Sequence, residues 1–267
     1  MLLKFLAPMV LFFHCQIHAA EFSFSKVGLS TYQIRLEGTL SDGDHNRLLS
    51  IIERYPVAFL GATSLVLSSP GGSVFEAIQI GRIVEKASLM TVVNENDICA
   101  SACFLIFVAG QMRIANGSLL IHRPHVPAEV YDTNQVDEAM RNQRALTQLV
   151  RQYLEERSVR SKLIDKMFSR SSTKAYPLRK HELLNLGAIS ASFEEVAIAK
   201  CNASPEDLLE AERRSAEMMD CITALREVSK AGFLVKLIGK DKGLAAVREY
   251  ARLKTVLETS GAALQNR

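Results

Sequence analysis

Ser64-Leu65-Val66-Leu67-Ser68-Ser69-Pro70-Gly71-Gly72-Ser73-Val74 is the stretch that decides how the chain folds. Ser64 to Leu67 read as a short apolar strand, which runs into a proline and two glycines. Apolar residues then return at helical spacing, at Val74, Ala77, Ile78, Ile80, Ile83 and Val84, ending near Ala87. Upstream, alternation from Tyr32 to Gly38 predicts a strand, and Leu48, Leu49, Ile51 and Ile52 predict a helix over His45 to Tyr55. Downstream, a strand over Leu89 to Val93 leads through polar Asn94-Glu95-Asn96-Asp97 into the apolar run Ile98 to Gly110, and a further strand covers Ser118 to His122. Strand and helix alternating through short connections define an α/β fold with a mostly parallel sheet. A long amphipathic helix is expected within Asn134 to Arg157.

The composition is that of a globular chain, 267 residues with 48% hydrophobic and 23% charged. Charges are interspersed and the net charge is only +3, which gives no phosphate-neutralising stripe, and no nucleic-acid partner is expected. Trp is absent, so stacking platforms for bases or sugars are not prominent. Residues 1–20 read as a secretory signal peptide: Lys4 precedes the apolar run Phe5 to Phe13, and Ala19-Ala20 offers a cleavage site. That run is far below the ~20 residues a membrane-spanning helix needs, and no later segment spans. The expected location is therefore periplasmic or secreted. Without the leader the chain carries 31 basic and 29 acidic residues and four cysteines, Cys99, Cys103, Cys201 and Cys221. An even count in an oxidising compartment makes all four disulfide candidates.

The organisation reads as leader 1–20, an α/β domain over 21–199 and a helical extension over 200–267. Ser204-Pro205-Glu206-Asp207 carries a capping serine, a proline at the first helical position and an acid at the third, opening a helix toward Val228. Its apolar stripe is Leu208, Ala211, Ala216, Met219, Ile222 and Leu225, and a second helix follows Gly232, roughly from Gly243 to Leu257.

Three segments carry candidate chemistry. Gly71 and Gly72 lie between strand and helix, where main-chain N–H groups point outward; the same sequence also makes a plain tight turn. Ser101 lies among small neighbours in Cys99-Ala100-Ser101-Ala102-Cys103, as an exposed nucleophile or as a helix-capping serine. His122 ends an apolar strand just before Pro124, which places an imidazole at the rim of a sheet, for catalysis or for structure. A metal site of Cys99, Cys103, His122 and His125 is a further reading of the same residues, from C-x-x-x-C and H-x-x-H spacing.

From about Tyr32 to Ser190 the chain resembles the proteolytic subunit of the Clp protease, in the superfamily shared with crotonase. More closely it is similar to the secreted, periplasmic bacterial Clp-protease-like proteins. The motifs are Ser69-Pro70-Gly71-Gly72, then Ala100-Ser101, then Ala109-Gly110 after a hydrophobic helix, then Ile121-His122 with Pro124. The resemblance implies a spiral of βαβ units, Ser101 as nucleophile, His122 as base, and the Gly72 and Ala102 N–H groups as oxyanion hole. It implies no cofactor, a peptide or protein substrate, and leaves a homo-oligomer open. Where the family has a catalytic Asp, upstream of the Glu182 to Gly187 helix end, this chain has Lys174 and Ala175, so the third catalytic member is unassigned. Asp165 is the nearest preceding acid, and Lys174 the one candidate for a Ser-Lys dyad. The function expected is an exported serine hydrolase, a peptidase or amidase; the alternative is a catalytically inactive binding or scaffolding protein of the same fold.

The twenty-residue separation of Cys201 and Cys221 brackets a helix whose ends a bridge would pin, contributing ~3 kcal/mol by loop-closure entropy. Peptide mapping under non-reducing conditions should recover the two as one cross-linked species, and a free Cys201 thiol would refute the pairing.

Overall fold

The computed structural model describes residues 19–126, 136–184, 186, 189–204, 206–207 and 215–265. Of the leader, residues 1–18 lie outside this set. Ala20 is buried, and its N–H donates to the Thr39 carbonyl at 2.9 Å.

Five strands form the main sheet: β1 (Glu21–Lys26), β2 (Tyr32–Glu37), β3 (Ala62–Ser68), β4 (Met90–Val93) and β6 (Arg113–Ala115), in the order β1-β2-β3-β4-β6. Pairing is parallel from β2 to β6, and β1 joins antiparallel at the edge, Phe22 opposite Leu36 and Phe24 opposite Ile34. Ile34 and Leu36 are the inward half of the β2 alternation, whereas the central strand β3 buries Leu65, Val66 and Leu67 in succession because both its faces are covered. A smaller sheet holds β5 (Ile98–Ala100), β7 (Ser118–Ile121) and β8 (Tyr176–Pro177), with β5 and β7 parallel. The two sheets meet where Ser69 pairs in parallel with Cys99.

Helices α1 (Asp44–Arg54) and α2 (Pro56–Gly61) connect β2 to β3, and α3 (Val74–Lys86) connects β3 to β4. Helix α4 (Cys103–Phe107) is far shorter than the apolar run suggested, and is buried at every residue. Helix α5 (Val136–Glu155) buries Val150, Tyr153 and Leu154, and the Tyr153 hydroxyl donates to the Leu105 carbonyl at 3.1 Å, tying α5 to α4. Helices α6 (Ser161–Ser169), α7 (Lys180–Leu184) and α8 (Ala191–Cys201) follow. Among the described residues, no helix is long and apolar enough to cross a membrane.

The C-terminal helices depart from the sequence expectation in three ways. The Ser204 hydroxyl does accept the Asp207 N–H at 3.1 Å, yet Ser215 caps a separate helix, α9 (Ala216–Ile238), with its own hydroxyl on the Met218 N–H. Gly232 lies inside α9, and the break comes at Gly239, whose φ of 87° only glycine adopts readily, before α10 (Lys240–Gln265). Of the expected stripe, Ile222 is buried but Ala216 and Met219 are exposed, while Leu208 and Ala211 lie outside the described residues. The helix turns a different face inward, through Ile222, Lys230 and Leu234. Leu234 and Ala246 belong to the same buried cluster as β2, β3 and α3, and Phe233 packs on Phe59 with ring centroids 5.7 Å apart. Cys201 and Cys221 are joined as a disulfide, Cα atoms 5.7 Å apart, over a small second cluster of Phe193, Ala197, Ala203 and Ile222.

Lys230 is 4% exposed and donates to the Leu60 carbonyl at 2.6 Å and the Ala62 carbonyl at 2.8 Å. Burial pushes its ammonium down to about 8, with Glu227 opposing the shift.

Leu234 is 0% exposed, so Leu234→Ala should cost about 3 kcal/mol in denaturant unfolding. Truncation after Lys200 removes Phe233 and Leu234 together and uncovers Phe59; its thermal midpoint should fall well below that of the full chain.

Candidate functional site

Three parallel strand ends build the site. β3 ends at Ser68 and leads into Ser69-Pro70-Gly71-Gly72, β5 ends at Ala100 and leads into Ser101, and β7 ends at Ile121 and leads into His122. Clefts at the carboxyl ends of parallel strands are where α/β folds place their ligands. Register brings the ends level: Ser69 pairs with Cys99, and Ala100 with Leu120.

Ser101 holds a left-handed backbone, φ 56°, which is disfavoured for any residue with a Cβ. Its N–H donates to the Leu120 carbonyl at 3.0 Å, so the sheet edge holds the turn. Gly71 backs directly onto it: a Cβ there would lie 2.6 Å from both the Ala100 oxygen and the Ser101 Cβ. That contact explains why this position in the turn is glycine. Ser101 does not cap α4. The capping residue is Ala102, with no side-chain hydrogen bond.

Gly72 also has a positive φ, 133°, and a Cβ there would strike the Leu40 carbonyl. The Leu40 N–H donates to the Gly71 carbonyl at 2.8 Å and the Ser73 N–H to the Leu40 carbonyl at 2.9 Å. These bonds skip Gly72. Among the described residues, neither the Gly72 nor the Ala102 N–H meets an acceptor. On the next turn, the Ser73 hydroxyl accepts the Glu76 N–H at 3.3 Å. The buried Glu76 carboxylate in turn accepts from the Gly43 and His45 N–H groups and the His45 ring. Burial raises the Glu76 carboxyl, but the His45 and Gly43 bonds outweigh it and hold it below the usual carboxylate range. Loop 40–43 is thereby locked beside Gly72.

At the start of β5, Asp97 accepts from both terminal nitrogens of Arg35, at 2.7 and 3.1 Å. That forked pair holds the Asp97 carboxyl below its ordinary range against the effect of burial, and fixes where the strand leading to Ser101 begins.

His122 sits at the rim, half-buried. Its Nδ1 lies 3.0 Å from the Arg123 carbonyl, which accepts, so the proton belongs on Nδ1 and Nε2 is left as the acceptor. Among the described residues no hydrogen bond joins His122 to Ser101, and no carboxylate touches the ring. Asp165 is 64% exposed on its side chain and pairs with Arg151 at 3.0 Å on the surface. Lys174 is exposed and does not line the cavity. The metal-site reading fails at its thiols, because Cys99 and Cys103 are bonded to each other.

A cavity of about 800 Å³ is lined by Gly72, Ser101, Ala102 and His122. Its apolar lining includes Leu40, Val74, Leu105, Leu146 and Met167. Sequence reading missed its polar contributors Asp42 and Ser172, and offered His125 only as a metal ligand. His125 packs near His122, ring centroids 6.1 Å apart. Ser172 arrives because α6 and β8 bring its loop back across β7, a contact between residues fifty apart that local periodicity does not carry.

The loop bearing Ser172 is fastened by a charge cluster. Glu182 pairs with Lys166, accepts the Arg179 N–H at 2.8 Å and the Tyr176 hydroxyl at 3.2 Å. Burial raises its carboxyl, and these donors outweigh burial and bring it down to about 2.

No known family profile matches the chain, and no curated protein sequence matches it. Among solved structures, it is similar to a mutant of the membrane-bound stomatin-specific protease 1510-N, 14% identical over 58% of this chain and 75% of that one, with a TM-score of 0.39. It is also similar to a mutant of ClpP1 from Listeria monocytogenes, 17% identical over 58% of this chain and 86% of that one, with a TM-score of 0.40. Likenesses this distant carry no weight for the chemistry here, which rests on the geometry of the site itself.

Glu182 yields a pH prediction. Its carboxyl ionises near 4.5 when unfolded and about 2 when folded, so its contribution is complete above pH ~4.5 and is lost as pH falls toward 2. Glu182→Gln should lower the thermal midpoint at pH 7 and converge with the wild type near pH 2; a constant offset across that range would refute the assignment.

Proposed function

We propose that the protein is an exported serine hydrolase of Clp-protease-like type, a peptidase or amidase. The observation that carries the reading is the convergence on one cavity of Ser101 in a left-handed turn, His122 with Nε2 available, and two main-chain N–H groups without acceptors. In this reading His122 Nε2 takes the Ser101 hydroxyl proton as Oγ attacks the scissile carbonyl. The Gly72 and Ala102 N–H groups receive the oxyanion, and the imidazolium returns its proton to the leaving amine.

The third role falls to a neutral group. The Arg123 carbonyl fixes the tautomer as a catalytic Asp does, but it carries no charge to balance the imidazolium, and turnover is expected to be slow. The same observation favours a second reading, a binding protein of this fold without turnover. The leader is processed after Ala20 and the protein self-associates in this reading; the two disulfides support an oxidising destination.

A fluorophosphonate probe should label Ser101 in the wild type. Ser101→Ala abolishes labelling, and His122→Ala slows it about 100- to 10,000-fold. In turnover, where both changes can be compared, the double variant costs little more than Ser101→Ala alone, since the two act as a unit. Asp165→Asn leaves the rate unchanged. A folded wild type that no serine-directed probe labels establishes the binding reading instead.

A further inference from the structure

The disulfide beneath Ser101 has no evident task in global stability. Cys99 and Cys103 are four residues apart, and the entropy removed from an unfolded chain by closing so short a loop is small. Closing the twenty-residue loop between Cys201 and Cys221 removes much more. Both inner cysteines are 0% exposed, and neither lines the cavity. The bond therefore lies behind the site.

Its surroundings show what it does there. Helix α4 has only five residues, too few to hold itself together. Hydroxyls cap two of the described helices, Ser73 on α3 and Ser215 on α9, whereas α1, α2, α6 and α8 start without a side-chain cap, each of them longer than α4. At α4 the two side chains in place to do so are those of residues 101 and 102. Using Ser101 would engage the hydroxyl that must attack, and a polar side chain at 102 would intrude on the cavity that Ala102 lines. Alanine is among the poorest capping residues. The helix start is thus left without a side-chain cap immediately after a residue in an unfavourable backbone conformation.

We propose that the Cys99–Cys103 disulfide is a positioning element of the site, replacing a helix cap. Cys99 is anchored on both sides, by β7 and by its bridge to Ser69, and Cys103 is the first residue of α4. The bond fastens one to the other through the core. It holds Ser101 left-handed and keeps the Ala102 N–H aimed at the cavity without using the hydroxyl or either amide. This inference rests on the reading of Ser101 as nucleophile for its catalytic consequence, though not for the clamp itself.

The test compares C99A/C103A and the better-filled C99V/C103A with C201A/C221A in the full chain. Removing the inner bond should slow fluorophosphonate labelling of Ser101 at least tenfold and raise amide hydrogen exchange at Phe104 and Leu105, with far-UV circular dichroism retained. Removing the outer bond should lower the thermal midpoint and leave the labelling rate unchanged. A folded inner-bond variant that labels at the wild-type rate, or whose exchange at Phe104 and Leu105 is unchanged, overturns the proposal. So does failure of both inner-bond variants to fold, which would make the bond a requirement for folding. A wild type that resists labelling while exchange still rises in the variants removes the hydrolase reading and leaves the clamp standing.

Discussion

Two main-chain hydrogen bonds, from the Ser69 N–H to the Ile98 carbonyl at 2.7 Å and from the Ala100 N–H to the Ser69 carbonyl at 2.9 Å, are the joint on which the molecule turns. They stitch the end of the central strand of one sheet to the first strand of the other. Without them Gly71 would have no reason to back onto Ser101, and β7 would deliver His122 to an edge with nothing opposite. The forked Arg35–Asp97 pair, the locked Leu40 loop and the tie from Tyr153 to Leu105 each restrain one of the segments that meet there. None of these restraints uses Ser101 Oγ, His122 Nε2 or the Gly72 and Ala102 amides.

The charge around the site is unusual for the chemistry proposed. The nearby carboxylates of Glu76, Asp97 and Glu182 are engaged in fixing the surrounding chain, and Asp42, which lines the cavity, does not touch the His122 ring among the described residues. The imidazole is oriented by a carbonyl of its own loop. Orientation and charge balance are separable tasks, and only the first is met by a peptide group.

Much of this arrangement was legible in the sequence, and the limits are physical. Ser101, His122 and Gly72 could be read because each follows an apolar strand at a point where a turn must occur, and strand ends share a rim. The orienting carbonyl of Arg123 has no signature, since every residue carries one. Ser172 depends on how α6 and β8 return the chain, which no local pattern encodes. Gly232 reads as a helix end in the sequence but sits in open space on the outside of α9, where an absent side chain is tolerated; Gly239 ends the helix because its positive φ favours glycine. The edge strand β1 carries a weak signal, because its outward residues are exposed and its alternation is brief.

Lys230 gives the C-terminal helices something their apolar residues do not. Along α9 the hydrophobic and polar positions are only weakly segregated, so the apolar pattern alone sets its alignment against α2 weakly. A slip of one residue would swing Lys230 by about 100° around the helix, away from the Leu60 and Ala62 carbonyls, and would lose both of those hydrogen bonds. The ammonium thus works as an index pin: it adds little holding power, but it admits one seating of the hairpin and rejects its neighbours.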